Sequence, residues 1–141
     1  MLYVIALLFL HRRFFTRPIQ RCAIEIVEGN PHTHSFVKKR LKRLNRDRRE
    51  ALFHLCAQGG LIDGLELLLQ LGTDVNCVDA SIFELTALGH ACFHGKMEVV
   101  KVLLAYGADV NWKSRTGLTA IDQAQRRGFL SIVKLLKQHQ N

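Results

Sequence analysis

The sequence predicts an all-α solenoid of three stacked helix–turn–helix units with hairpin fingers, preceded by a basic helical N-terminal extension. Three observations carry this expectation. The stretch LLLQLGTDVNC at Leu67–Cys77 returns as LLAYGADVNW at Leu103–Trp112. With Gly72 on Gly107, an offset of 35 residues also places Gly60 on Gly95, Asp74 on Asp109, Val75 on Val110 and Asn76 on Asn111. A third copy follows at an offset of 33: Thr86-Ala87-Leu88 falls on Thr119-Ala120-Ile121, Ala91 on Ala124, Val99-Val100-Lys101 on Ile132-Val133-Lys134 and Leu103 on Leu136. A recurrence at this period marks units that bury their apolar faces only by stacking on one another.

The 141 residues suit one ordinary domain, or a small one with an extension, and 48% apolar residues supply a core. The net charge of +8 is unevenly placed. Residues 1–50 hold 12 Lys/Arg against 4 Asp/Glu, whereas residues 51–141 hold 8 of each. The basic character belongs to the extension and does not define the partner of the repeats.

The extension begins with MLYVIALLFL, ten residues without a charged or polar side chain. A bilayer span needs about 20 apolar residues, so this run is too short to cross. It also lacks the order of a secretory signal, because Arg12 and Arg13 follow the apolar run instead of preceding it. Extended to Phe15 it becomes a candidate interfacial anchor, with a buried helix or strand as the alternative. Residues 1–34 otherwise give weak signals. Pro18 is placed to open a short helix and Gly29-Asn30-Pro31 to close it. Residues 35–49 read as a basic amphipathic helix in which Val37, Leu41 and Leu44 share one face. The first repeat lacks a finger before Ala51, and this helix is the natural cover for its open end. Its Lys38–Arg49 tract fits a solvated face, a nuclear import signal, nucleic-acid phosphate contact or an anionic membrane surface. No aromatic side chains interleave with it, which disfavours specific nucleic-acid reading.

The repeats occupy 50–141, divided at 50–79, 80–114 and 115–141. In the middle unit Thr86 is a good helix N-cap, and Leu88, Ala91 and Cys92 follow at helical spacing. Gly95 stops that helix. Met97–Ala105 is the second helix, with a broad apolar face from Val99, Val100, Val102, Leu103 and Leu104. Tyr106-Gly107 breaks it. Gly72 and Gly107 supply backbone freedom, and the Asp-Val-Asn triplets that follow set turns through local side-chain-to-backbone hydrogen bonds. The repeated phrase is therefore scaffold.

These units resemble the ankyrin-repeat family. The signature T-P-L-H-x-A is matched as Thr86-Ala87-Leu88-Gly89-His90-Ala91 and Thr119-Ala120-Ile121-Asp122-Gln123-Ala124, while the first unit reads Ala51-Leu52-Phe53-His54-Leu55-Cys56. Only His54 keeps the signature histidine, with Gly89 and Asp122 in its place elsewhere. The chain also departs from the pattern in its first finger, which is two residues longer and carries Ile82 and Phe83 near its tip. The third unit ends without the Gly-Ala-Asp-Val-Asn phrase, in a polar sequence that suits a C-terminal cap.

The sequence offers no phosphate loop, dinucleotide fingerprint, zinc-protease helix or nucleophile elbow. We expect no catalytic residue, no cofactor, no metal and no small-molecule substrate. His90 and His94 stand at i, i+4, but two imidazoles make a poor metal site. Cys56 and Cys92 read as small core residues. Cys77 falls in a finger, a position open to exposure and oxidation. Four widely spaced cysteines fit a reduced, intracellular chain, cytoplasmic or nuclear. The family resemblance implies a non-enzymatic adaptor that docks a protein on its finger tips and on the concave face of the first helices. Carried over by position, the partner-binding residues are Ile82, Phe83 and Glu84 in the long finger, and Trp112, Lys113 and Arg115 in the second. Gln58, Phe93, His94, Arg126 and Arg127 lie on the first helices. Trp112 reads either as packed on the neighbouring finger or as an interface anchor. A membrane-surface tether working through residues 1–49 is the alternative.

Overall fold

The computed structural model describes residues 34–140; the apolar run MLYVIALLFL and the rest of residues 1–33 lie outside it. Seven helices form among the described residues: α1 His34–Lys42, α2 Arg46–Gly59, α3 Ile62–Gln70, α4 Ala87–Phe93, α5 Met97–Ala105, α6 Ala120–Arg126 and α7 Leu130–Gln138. Helices α2, α4 and α6 pack in sequence as one layer, and each packs on its following partner, α3, α5 or α7, in a second layer.

Local chemistry sets the starts of the first-layer helices. The Thr86 hydroxyl accepts from the Gly89 amide at 3.3 Å, as its N-cap role requires. Thr119 and Asp122 form a full capping box. The Thr119 hydroxyl accepts from the Asp122 amide, and the Asp122 carboxylate accepts from the Thr119 amide at 2.8 Å. Asp122 stands where the family has its signature histidine, and this is its structural task.

The basic tract does not form one helix over 35–49. Asn45 adopts extended backbone and accepts from the Arg48 amide at 3.1 Å, so it starts a new helix at Arg46. Arg46–Arg49 are therefore the first turn of α2. Arg46 pairs with Glu50 one turn on, at 2.6 Å, and Arg49 donates to the Leu71 carbonyl at 3.3 Å, beside the end of α3. In α1, Val37 and Leu41 are buried in the common core and Leu44 packs against it. That apolar face is spent inside the protein, so it is not available to lipid. The outward side carries Lys38, Lys39, Lys42 and Arg43, all exposed.

The two hairpin fingers, residues 73–85 and 108–118, join one repeat to the next. Gly72 and Gly107 both adopt φ +81°, in the left-handed region, with open space around the missing Cβ. Glycine is needed there for backbone conformation and not for room. Asp74 then accepts from the Asn76 amide at 2.9 Å, and Asp109 from the Asn111 amide at 2.8 Å. Asn76 has a further partner: its side-chain oxygen accepts from the Asp109 amide at 2.8 Å and ties the two fingers together. The first finger closes through the Asp79 amide to Leu85 carbonyl bond at 2.9 Å and an isolated antiparallel bridge between Val78 and Thr86. Cys77 is buried in this finger, contrary to the exposure expected of it. The Asp74 turn folds it inward, with its sulfur 3.6 Å from His54 Nε2.

The core assigns α1 a share of stability. Leu41→Ala should lower the unfolding free energy by about 2–4 kcal/mol, the cost of a fully buried leucine, without loss of helix content in α2–α7. Urea unfolding followed by circular dichroism measures this; an unchanged midpoint would mean that α1 does not belong to the cooperative unit.

Candidate functional site

The first finger brings Ile82, Phe83 and Glu84 to the surface. Ile82 is 74% exposed and Phe83 50%. Glu84 has φ 51°, which side-chain-bearing residues seldom adopt. The second finger holds this conformation. Trp112 Nε1 donates to the Glu84 carbonyl at 3.3 Å, the Arg115 amide donates to the Phe83 carbonyl at 3.0 Å, and the Arg115 guanidinium lies 3.5 Å from the Glu84 carboxylate. Trp112 is thus packed on the neighbouring finger and also 39% exposed.

A second group forms where α4 and α6 end. Arg127 lies over the Phe93 ring, 4.6 Å from its centroid, and donates to the Phe93 carbonyl at 3.3 Å. His94 stands edge-on to Phe93, with centroids 5.1 Å apart. Burial lowers the His94 pKa, and the nearby His90, Lys96 and Arg127 lower it further. Lys96 and Arg127 bring positive charge to this end of the layer. Lys96 was not anticipated; its side chain lies over Gly60, in the turn of the preceding repeat. Arg126 and Lys113 are exposed, and the fields of both reach Asp122.

Gln58 does not join either group. It lies 3.2 Å from His90 Nδ1, while His90 Nε2 lies 2.6 Å from Asp79. This links α2, α4 and the first finger. Asp79 also accepts from the Ser81 hydroxyl at 2.7 Å and from the Leu85 amide at 3.1 Å. Partial burial would raise the Asp79 pKa, but the bonds from His90 and Ser81 outweigh it and hold the carboxyl well below its ordinary range. His54 packs edge-on to His90 at 5.5 Å. Its burial, helped by His90, pushes its pKa down to about 4.

Both ring nitrogens of His90 are engaged within the fold, and burial pushes the Cys77 thiol up to about 12, leaving it protonated beside His54. Among the described residues, no three His, Cys, Asp or Glu side chains come together as a metal site, and no helix is long and apolar enough to cross a membrane.

A two-layer helical stack with fingers defines a repeat protein. Comparison with known proteins gives the family: the ankyrin-repeat model matches residues 53–141 in three copies, and the chain belongs to the ankyrin-repeat family. The B-cell lymphoma 3 protein homolog of Mus musculus is 32% identical over 83 residues, which is 59% of this chain and 18% of that protein. The "Probable E3 ubiquitin-protein ligase XBOS33" of Oryza sativa subsp. japonica is 39% identical over 84 residues, 59% of this chain and 16% of the relative. The ankyrin repeat and SAM domain-containing protein 6 of Rattus norvegicus is 41% identical over 68 residues, 48% of this chain and 8% of that protein. The chain thus spans less than a fifth of each of these relatives.

The buried histidine gives a pH signature. Unfolded His54 takes up a proton near pH 6.5, and folded His54 only near 4. In that window the unfolded chain binds more protons, so stability falls as pH falls. The unfolding free energy should drop by about 1–2 kcal/mol between pH 7 and pH 5, and His54→Leu should flatten that slope. Urea titrations at the two pH values check this; equal slopes in both proteins would show that His54 is not buried neutral.

Proposed function

We propose that this chain is a non-enzymatic docking module that binds a partner protein across its two finger tips and the exposed ends of α4 and α6. Ankyrin repeats are non-catalytic protein–protein interaction modules in general. The observation that carries the specific surface is the finger tip. Ile82 and Phe83 are held out in solvent on a tip bonded by the Arg115 amide and the Trp112 indole of the second finger, in a conformation that Glu84 adopts against its own preference. A segment held in an uncommon conformation with its apolar side chains outward is better suited to contact than to packing. Trp112 and Arg127 supply side-chain types that recur among binding hot spots, and each is already oriented by a partner within the fold. A pre-oriented side chain loses less freedom on binding.

Of the residues expected to bind, Gln58 has the weakest support, because its amide is occupied by His90. The proposed surface therefore centres on Ile82, Phe83, Glu84, Phe93, His94, Trp112, Lys113, Arg115, Arg126 and Arg127.

Affinity purification with the full chain and with the Trp112→Ala, Arg126→Ala double variant tests this reading. A protein captured by the first should be depleted at least roughly tenfold from the second, the loss of about 1.4 kcal/mol or more that hot-spot removal brings. Circular dichroism must show both baits folded. Equal capture by both would place the interaction elsewhere on the chain.

A further inference from the structure

The repeats balance their charges, and the whole positive surplus of the chain lies in residues 1–50. Among the described residues it is concentrated in and just after α1. Residues 37–50 hold eight Lys/Arg against two acids, Asp47 and Glu50, a surplus of six with both carboxylates counted as charged. α1 itself contains no acid. Glu50 is paired with Arg46, and Asp47 lies in the first turn of α2.

Helix geometry places these cations. Val37 and Leu41 are buried, which fixes the inward side of α1. The helical turn continues past Lys42, because the Arg43 amide donates to the Arg40 carbonyl at 3.0 Å. At about 100° per residue, Lys38, Lys42, Lys39 and Arg43 are spread over roughly 140° of the opposite side. All four are exposed. They form two rows, Lys38 with Lys42 and Lys39 with Arg43, each pair one turn or about 6 Å apart. Among the described residues no ion pair engages any of the four. Between residues 37 and 43 this outward arc contains nothing but the cations.

We infer that the outward face of α1 binds the phosphate backbone of double-stranded nucleic acid without reading its sequence. A duplex carries one negative charge for about every 1.7 Å of its axis, a line of charge that complements a row of cations. A flat headgroup layer meets a rounded helical face along one line, whereas the two backbones bordering a groove can each take one row. Interfacial binding to lipid also draws on buried apolar area, and Val37 and Leu41 are already spent in the core. A protein partner would find no apolar or aromatic anchor between the rows. Three of the four cations are lysines, flexible point charges that suit phosphate more than the planar edge of a base. This surface is separate from the docking surface on the fingers and does not depend on it.

The test is fluorescence anisotropy of a short labelled duplex of mixed sequence, titrated with the full chain. Scrambling the duplex sequence should leave the affinity within about twofold. Four phosphate contacts predict an affinity that falls roughly a hundredfold between about 50 and 200 mM salt. Lys38→Gln, Lys39→Gln, Lys42→Gln and Arg43→Gln together should weaken binding at least roughly tenfold and flatten the salt dependence. Lys38→Arg with Lys39→Arg and Lys42→Arg should keep it within about twofold, and so should Ile82→Ser with Phe83→Ser. Circular dichroism must show each variant folded. If the quadruple variant unfolds, Lys38→Gln with Lys42→Gln removes one row and should roughly halve the salt slope.

A duplex that does not bind at low salt, or that binds the glutamine variants as it binds the full chain, would overturn the inference. Loss of binding with Ile82→Ser, Phe83→Ser would move the contact to the fingers and overturn it too. Vesicles of phosphatidylcholine with phosphatidylserine, bound more tightly than the duplex and released by the glutamine variants, would overturn it in favour of a membrane surface.

Discussion

Close approach of the first-layer helices is the constraint from which the rest follows. These helices are short and cannot hold a core alone. They bury Cys56 and Ala57 in α2, Ala91 and Cys92 in α4, and Ala120 and Ala124 in α6, all small side chains. Small residues let the helices stack at a repeat spacing short enough for Asn76 of one finger to reach the Asp109 amide of the next. The larger side chains, Leu65, Leu68, Leu88, Val99, Leu103 and Leu136, then fill the space between the two layers. One contact shows how tight the register is. A Cβ on Gly95 would stand 2.5 Å from the Phe129 ring of the following unit, so that glycine keeps the α4–α5 turn in contact with the third repeat.

On this spacing sits a polar network that crosses units. Gln58, His90 and Asp79 belong to α2, α4 and the first finger, and they meet only because the helices are stacked in register. Buried polar groups stabilise little unless all their partners are present. Here Asp79 is well satisfied, whereas His54 Nδ1 has no hydrogen-bond partner. Burial of His54, with His90 beside it, disfavours the charged ring and depresses its pKa. The network joins α2 to α4 and to the finger between the first two units.

Much of this was legible in the sequence, and the part that was not has a common cause. The helix bounds, the Thr86 cap, the Gly72 and Gly107 turns and the Asp-Val-Asn hydrogen bonds are local, and each follows from a few neighbouring residues. The Asn45 cap is local too, yet the surrounding run of Lys and Arg masked it, and α2 begins four residues before the position at which the repeats were expected to start. Contacts between units were not readable. Cys77 belongs to a finger, where exposure is the natural expectation, and only the stacked fold turns it toward His54. Asp79 has a local partner in Ser81, but His90 lies 11 residues away in another element. The capping-box role of Asp122 had a signal, since Thr-x-x-Asp is one short acid away from the usual capping pair. It was obscured by comparison with the histidine it replaces.

The longer first finger joins the scaffold to the surface. Two additional residues lengthen the segment within the Val78–Thr86 closure, and the tip Ser81–Glu84 is extruded. Extrusion has a conformational cost, concentrated at Glu84 with φ 51°, where a side-chain-bearing residue loses about 1 kcal/mol. Part of what offsets that cost comes from within the finger, where the Glu84 amide donates to the Ser81 carbonyl, and part from outside it, by Trp112 Nε1 and the Arg115 amide. The second finger therefore holds the first tip in one shape, and in doing so commits its own indole and guanidinium to the same place. Ile82, left 74% exposed, gains nothing from this arrangement within the described fold. The presentation of an unpacked isoleucine by a braced and strained turn is what supports the docking surface proposed for the finger tips.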